Sequence, residues 1–300
     1  MDQRLLVTLR PARPEDTHDV LELTRTIFNG HDYIPQVWEE WLADPNGCLL
    51  SAEYQGQVIG IGRVREVSPM DWWLEGLRVH PEFQGRGVGA QLHDALVAHW
   101  QANGQGALRL ATSSKRLTVH HLCERTGFKW VGEYSYFQAD ALADAPSGFR
   151  QAEPGEEKLA VSFAESSPLF ELHNELIDLG WEWQPLRTAS LAEPIAKGGV
   201  LWQRGGAGLL FYYMDTEDED QRPIPVISMA ACNVEALPEL LRKFRRLAGE
   251  LGCAHCGWTA PLKDDLVEAL TNAGYQRLWD DSIYIFENPG VTPPLGEAVV

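Results

Sequence analysis

A glycine-rich stretch between a strand and a helix constrains this chain more than any other feature of its sequence. Residues 71–79 alternate as a β-strand does, and apolar residues recur at helical spacing within 88–99. Between them stand Gly85, Gly87 and Gly89. Glycine costs about 1 kcal/mol relative to alanine inside a helix, so three at a helix entrance require a reason. Without Cβ atoms a ligand can approach the backbone, and the free amides of the first turn attract phosphate oxygens, which predicts a pyrophosphate site.

Length and composition limit the classes of protein to consider. A chain of 300 residues suits two domains, each large enough to bury a core. The sequence has no uncharged apolar run of membrane-spanning length, and its N-terminus lacks the apolar segment of a secretory signal. The five cysteines are scattered and odd in number, which is typical of reduced thiols. We therefore expect a cytoplasmic protein without a membrane partner.

The net charge of −18 narrows the choice of partners. Residues 1–150 contain 14 basic and 19 acidic side chains, and residues 151–300 contain 11 and 24. A field of this sign repels phosphate backbones and attracts cations. We therefore expect no nucleic-acid partner. Self-association into a homodimer is left open.

The predicted elements follow a mixed α/β order that returns in the second half of the chain. Several glycine and aromatic residues recur in the second half at the same spacing as in the first. Gly104, Gly127-Phe128 and Tyr136 correspond to Gly252, Gly274-Tyr275 and Tyr284. Such spacing indicates a diverged internal duplication with a period of about half the chain. The predicted strands lie at 5–10, 49–54, 57–65, 71–79, 108–111, 134–138, 159–163, 200–213 (a hairpin) and 225–232, and the main predicted helices at 36–42, 88–99, 117–125, 169–179 and 237–251.

This duplication predicts two tandem domains at 1–140 and 158–300, joined by a linker at 141–157 that is rich in Ala, Asp, Pro and Gly. The second copy lacks one feature of the first. Its helix entrance, residues 233–238, has no glycine and includes Glu235, which would repel a phosphate. We therefore expect ligand binding in the first domain and a degenerate second domain.

The segment from Val79 to Gly89, VHPEFQGRGVG, resembles the acyl-CoA-binding motif of the GCN5-related N-acetyltransferase (GNAT) family, whose pattern is V-x-P-x-x-Q/R-x-x-G-x-G/A. The proline, the glutamine and the glycines all stand at the right offsets between a strand and a helix. Gly127-Phe128 resembles the next motif of that family. The resemblance covers residues 4–138 well and the second half as a faded copy. It implies the mixed α+β acyl-CoA N-acyltransferase fold.

The resemblance also implies how acetyl-CoA would be held. The backbone of Leu77–Val79 would pair with the pantetheine arm, and the amides of Arg86–Ala90 would hold the pyrophosphate. An amine would then attack the thioester where the central strand separates from its parallel neighbour. The implied cofactor-binding residues are Leu77, Arg78, Val79, Gln84, Gly85, Arg86, Gly87, Val88, Gly89 and Ala90.

Two side chains are candidates for proton transfer. Glu75 is the candidate general base, because members of the family carry an acid at this strand position, and the alternation predicts that it shares a face with Leu77 and Val79. The tyrosine that often serves as general acid is replaced by Cys123. A thiol can protonate a leaving thiolate, yet Cys123 also fits an inert core position. The asparagine that often precedes the tyrosine by seven residues is replaced by Arg116.

Competing interpretations of the motifs are weaker. The dinucleotide fingerprint G-x-G-x-x-G/A requires its first glycine directly after the strand, whereas residues 80–84 intervene here. Cys253 and Cys256 have metal-ligand spacing, but no second pair follows, so we expect no metal.

The acidic run 215–220 is typical of a solvated loop, with cation attraction as the alternative. Trp72, Trp73, Trp181 and Trp183 suit either core packing or a pocket for an amine.

The residues and the resemblance together predict an acetyl-CoA-dependent N-acetyltransferase that acts on a small primary amine, with Glu75 as base and the second domain in a structural or acceptor-covering role. The negative charge suggests a cationic acceptor, and a role of that charge in solubility alone is left open. The alternative from a different class is a non-catalytic protein that binds or senses acyl-CoA. The missing tyrosine and the degenerate second copy are the reasons to keep that alternative.

Overall fold

The computed structural model describes residues 4–25, 27–216 and 222–290, and its chain divides into two compact units. Unit 1 takes the described residues within 1–110, 116–130 and 286–300, and unit 2 takes those within 111–115 and 131–285. The segment predicted as a linker falls within the range of unit 2. No helix in the described ranges is long and apolar enough to cross a membrane.

The first part of the chain contributes five neighbouring strands of a β-sheet, which lie in chain order, and every neighbouring pair is antiparallel except the fourth and fifth strands. A mixed α/β fold is confirmed. The elements are β1 (Thr8–Pro11), α1 (Thr17–Thr24), α2 (Ile34–Ala43), β2 (Gly47–Tyr54), β3 (Gln57–Ser68), β4 (Asp71–Val79), α3 (Val88–Asn103), β5 (Ala107–Ser113) and α4 (Leu117–Arg125).

Helices cover both faces of this sheet. On one face, Ile61 of β3 packs in an apolar cluster with Trp38 and Trp41 of α2. On the other face, a Cβ at Gly60 or Gly62 would meet leucine side chains of α3 at about 3 Å. Adjacent residues of a strand point to opposite faces, so β3 lies between α2 and α3. The two glycines let α3, with the phosphate-binding loop at its start, lie close against the sheet.

A bulge in β4 depends on Gly76. The pairing with β3 runs Ile61↔Arg78 and then Arg63↔Glu75, so β4 has one residue more than its partner over this span. Gly76 has φ +66°, and a Cβ there would lie 2.6 Å from the Trp41 ring. Only glycine combines this backbone conformation with so close an approach. The bulge reverses the alternation of side chains along the end of β4.

The rest of the chain contributes six neighbouring strands in the order β7-β10-β11-β12-β13-β6, in which β12 and β13 are parallel. Its sequence β12–α8–β13–α9 repeats β4–α3–β5–α4, as the duplication predicts. The elements are β6 (Lys129–Asp140), β7 (Phe149–Gln151), α5 (Glu157–Glu165), α6 (Pro168–Leu172), β8 (Leu176–Asp178), β9 (Trp183–Pro185), α7 (Thr188–Ala196), β10 (Val200–Gln203), β11 (Gly208–Thr216), β12 (Pro223–Cys232), α8 (Leu237–Glu250), β13 (His255–Pro261), α9 (Asp264–Asn272), β14 (Gln276–Arg277) and β15 (Ile283–Asn288).

Two predictions for this part of the chain are wrong. The apolar run at 159–163 is helical, within α5, because Ala160 and Ala164 recur at i, i+4 and are both buried. The helix predicted over 169–179 ends at Leu172, and β8 follows it. Asn174 and Glu175 adopt positive φ, which stops the helix. Part of the acidic run, residues 217–220, lies outside the described residues.

The bulge gives a first prediction. Gly76→Ala should lower the free energy of unfolding by more than about 2 kcal/mol, because the substitution adds a steric clash with Trp41 to a strained positive φ. Gly56→Ala is the matched control, since Gly56 also has positive φ, +82°, but has open space at its Cβ. The control should cost about 1 kcal/mol. Equal losses in urea denaturation would contradict a clash at Gly76.

A second prediction concerns the buried His93 of α3, whose Nε2 lies 2.8 Å from Thr126 Oγ1. Burial lowers the pKa of His93 to about 4. Because the unfolded chain protonates near pH 6.5, its protonation reduces stability as the pH falls towards 4, by up to about 1.4 kcal/mol per pH unit. His93→Gln should remove this contribution. The wild-type advantage over the variant should therefore shrink between pH 7 and pH 4.5, and a constant difference would contradict it.

Candidate active site

The glycine loop forms an open backbone cradle at the start of α3. Gly85 and Gly87 have φ +73° and +78°, both in the left-handed region, and Gly87 is the residue that caps α3. The amide of Gln91 donates to Gly87 O at 3.2 Å and so begins the bonding of the helix. By helix geometry the amides of 88–90 precede that bond and point out of the helix end. The loop can therefore receive an anion.

Contacts with neighbouring segments fix the position of the loop. Gln84 Nε2 donates to Val79 O at 3.0 Å, which ties the loop to the end of β4. Leu5 N donates to Arg86 O at 2.9 Å. A Cβ at Gly87 would lie 3.2 Å from Arg4 Cγ, so the Arg4 side chain lies beside the cradle. No pattern in the sequence indicated Arg4, because only folding brings residues 4 and 87 together.

Strands β4 and β5 pair only at their beginning. Their parallel pairing runs from Asp71↔Ala107 to Trp73↔Arg109, although β4 continues to Val79. On its other side β4 remains paired with β3, up to Gly60↔Val79. Within the described residues, the edge of β4 that faces β5 therefore pairs with no strand beyond Trp73. Its backbone groups can bind an extended ligand. Leu77, Arg78 and Val79 belong to this stretch.

Glu75 lies in an ionic cluster on the α2 face of the sheet. Its Oε1 accepts hydrogen bonds from Arg63 at 2.8 Å and Arg65 at 3.0 Å. Arg63 also pairs with Asp44 and stacks on the Trp41 ring, at 4.9 Å from its centroid. The sequence did not indicate this cluster, because its members come from separate elements.

The predicted face of Glu75 is wrong. Leu77 and Val79 pack on the apolar cluster that contains Val88 and Leu92 of α3, whereas Glu75 contacts the arginine that stacks on α2. The bulge at Gly76 causes the difference, since the extra residue breaks the alternation between positions 75 and 77.

A second ionic pair lies at Arg78. Its Nε and Nη2 donate to the two carboxylate oxygens of Asp32 at 2.8 and 3.2 Å, and its guanidinium lies 5.7 Å from the centroid of the Tyr33 ring. Tyr33 is 43% exposed, and partial burial of its hydroxyl raises its pKa, with the negative charge of Glu75 adding to the rise. Burial lowers the pKa of Arg116, and the positive charge of Arg78 adds to that effect. Hence the Tyr33 hydroxyl stays neutral close to the Glu75 and Arg78 clusters.

The candidate acid, Cys123, is fully buried in α4. Burial raises the pKa of its thiol to about 12. A thiol of that kind is typical of a core residue, because the thiolate is disfavoured away from water. Its surroundings therefore favour the inert alternative over proton donation.

The structure contains no group of three or more His, Cys, Asp or Glu side chains placed to hold a metal ion within the described residues. Cys253 and Cys256 are both buried, and Cys256 Sγ lies 3.1 Å from the Tyr275 hydroxyl.

In unit 2, the helix that corresponds to α3 is α8. A 3-10 turn at Val234–Ala236 precedes it, and Ala236 takes the place of the glycine cap.

Comparison with known proteins places these features in a family. A model described as the acetyltransferase (GNAT) family matches residues 16–128. An aminoglycoside N(6')-acetyltransferase type 1 of Stenotrophomonas maltophilia is 31% identical over 143 residues, 44% of this chain and 92% of that protein. A histidine N-acetyltransferase of Oreochromis niloticus is 34% identical over 82 residues, 27% of this chain and 24% of that protein. The chain thus spans about a quarter of the length of that relative.

Among solved structures, a tandem GNAT protein from the clavulanic acid biosynthesis pathway aligns with a TM-score of 0.57 at 15% sequence identity. The alignment covers 96% of this chain and 100% of that chain. At this identity the likeness shows the fold alone, and it agrees with two GNAT-like halves in tandem. The family model, the relative matched over nearly its whole length and the fold together show that the chain belongs to the GNAT family of acetyltransferases.

Proposed function

We propose that this protein is an acetyl-CoA-dependent N-acetyltransferase whose unit 1 carries the reaction, and that its acceptor is the primary amine of a small molecule. The cradle at Gly85 and Gly87, placed directly after the free edge of β4, carries the proposal. A strand edge followed by an open helix start offers one binding surface for an extended arm and one for a pyrophosphate. This combination fits a CoA thioester.

In this proposal the backbone of Leu77–Val79 binds the pantetheine arm and the amides of Arg86–Ala90 bind the pyrophosphate. Because Gly85 and Gly87 have no Cβ atoms, the backbone cradle stays open. These residues therefore fit the pyrophosphate of the donor. Arg4 and Arg86 add positive charge beside the amides. The bound donor supplies a thioester carbonyl that an amine can attack, with a C–N bond formed and the C–S bond broken.

Glu75 is the proposed general base. An amine that arrives as an ammonium must lose a proton before its lone pair can attack, and a carboxylate beside the free edge of β4 can take that proton, directly or through water. Arg63 and Arg65 hold the carboxylate in place. The leaving thiolate also needs a proton. Because Cys123 is buried, this proposal takes that proton from solvent or from the nitrogen of the tetrahedral intermediate, which is still protonated after the attack.

The acceptor is proposed to be small and to carry positive charge. The overall charge of −18 raises the local concentration of cations. The ionic cluster refines this expectation, because Asp44 and Glu75 are balanced by Arg63 and Arg65. A site with both signs of charge suits an amino-acid-like amine, and relatives in the family are named for histidine and for aminoglycosides as acceptors.

The alternative is a protein that binds acyl-CoA without turnover. Burial of Cys123 at the position of the usual acid favours it, as does the engagement of Glu75 by two arginines. Release of free thiol from acetyl-CoA in the presence of a panel of small amines separates the two functions. Amine-dependent release supports the transferase, whereas saturable CoA binding without release identifies a binding protein.

The third prediction tests the cradle. Gly87→Asp should weaken CoA binding by at least about 100-fold in calorimetry, because it places a carboxylate against the pyrophosphate. Gly87→Asn is the matched control, with the same shape and no charge, and should bind more tightly than Gly87→Asp. The wild type should bind one CoA per chain, since the entrance of α8 lacks a glycine cradle. Two sites per chain, or equal affinities of the two variants, would contradict the assignment.

The fourth prediction tests the base. Glu75→Gln should lower the rate of thiol release by about 10²–10⁴-fold and leave CoA affinity nearly unchanged. Loss of an ion pair alone could disturb the site, so Asp44→Asn serves as control. Asp44 shares Arg63 with Glu75. If both variants lose rate equally, Glu75 acts only through the ion pair.

A further inference from the structure

Unit 2 contains a cavity of about 570 Å³ that the proposed reaction does not use. Four neighbouring strands form its floor, since the register places Tyr213 of β11 opposite Val226 of β12, Gly257 of β13 next, and Gln138 of β6 after it. A Cβ at Gly257 would lie 2.2 Å from the Tyr136 hydroxyl. Glycine therefore makes room for the Tyr136 ring over the floor.

Stacked aromatic rings form one wall of this cavity. Trp181 stacks on Trp279 with 5.2 Å between ring centroids and an interplanar angle of 28°. Trp279 in turn stacks on Tyr136, again at 5.2 Å. Trp181 remains 47% exposed, so one side of the stack is accessible. Of the four tryptophans predicted to lie in the core or in a pocket, Trp72, Trp73 and Trp183 are buried and Trp181 lines the cavity.

Trp181 is held in an unfavourable backbone conformation. Its φ is +68°, a region that costs a non-glycine residue about 1–2 kcal/mol. Asp178 stabilises the turn, because its Oδ1 accepts the amides of Gly180 at 3.0 Å and Trp181 at 2.8 Å. The fold therefore holds the exposed Trp181 ring at the cavity, although its positive φ is unfavourable.

The carboxylate of Asp178 lies behind the cavity wall and is 3% exposed. Thr259 and Tyr213, which both line the cavity, have side chains that interact with this carboxylate. Burial raises the pKa of Asp178 to about 7, and Asp215 at the cavity rim adds to the rise. A buried carboxylate in such surroundings is stabilised by a nearby positive charge.

From this geometry we propose that the cavity of unit 2 binds a small organic cation, an ammonium group on an aromatic or aliphatic body. The ammonium would lie near Asp178 and Asp215, and the body would pack against the Trp181 ring. Arg222 and His255 also line the cavity and suit a polar group at the other end of the ligand. An anionic ligand is disfavoured by the two carboxylates. This proposal does not depend on acetyl transfer in unit 1.

The experiment uses the full chain at pH 8, where Asp178 is ionised, and three probes of similar shape. Phenethylamine is cationic, 2-phenylethanol is neutral and phenylacetate is anionic. Binding is followed by tryptophan fluorescence and by calorimetry. Phenethylamine should bind at least about 10-fold more tightly than the other two, a factor that corresponds to about 1.4 kcal/mol. Equal affinities, or no binding of phenethylamine at about 20 mM, would overturn the proposal.

Two variants and a control locate the site. Trp181→Gly removes the ring and relieves the positive φ, which offsets part of the lost stacking on Trp279, so it should fold and lose at least about 10-fold in affinity. Asp178→Asn should reduce the preference for phenethylamine over 2-phenylethanol. Trp130→Phe is the control, since Trp130 is 51% exposed and does not line the cavity. Unchanged affinity in Trp181→Gly would overturn the assignment.

Discussion

The separation of β4 from β5 is the constraint on which unit 1 depends. Parallel strands that continued to pair would satisfy each other's backbone groups and leave no edge for a ligand. Here the pairing ends at Trp73↔Arg109, and β4 continues to Val79 with β3 on its other side. The glycine cradle follows after a short turn. One strand edge and one helix start thus become adjacent surfaces, which is the basis for the proposal that an extended thioester with a pyrophosphate binds there.

The ionic clusters beside this edge determine what else the site can do. Buried charges are costly unless they are paired, and here each acid has a guanidinium partner: Glu75 with Arg63 and Arg65, and Asp32 with Arg78. Pairing fixes the position of the Glu75 carboxylate, and it also moderates the negative potential that the overall charge would produce. The surface beside this edge therefore carries charges of both signs.

The two units share a fold but differ in the residues that could bind a ligand. Unit 2 keeps the parallel pair β12 and β13 and the amphipathic helix α8, and so keeps its core. It has lost the glycines at the start of that helix, and with them the space for a phosphate. Its cavity instead has aromatic walls and the buried carboxylate of Asp178. Conservation of the apolar pattern preserves a fold, whereas a few polar and glycine positions decide which ligand it can bind.

The sequence alone determined the order of most elements, the family and the position of the glycine cradle. These features are local: the spacing of Gly85, Gly87 and Gly89 and the period of α3 and α8 can be read from neighbouring residues. The sequence misassigned 159–163 and 169–179, where short apolar runs do not distinguish strand from helix and the turn at Asn174 was not recognised. Only the tertiary structure decided the face of Glu75, because the bulge appears in the pairing of β4 with β3 and places Gly76 against Trp41 of another element. The same holds for Arg4 beside the cradle and for the pairing of Glu75 with Arg63, since these contacts join residues that are distant in the chain.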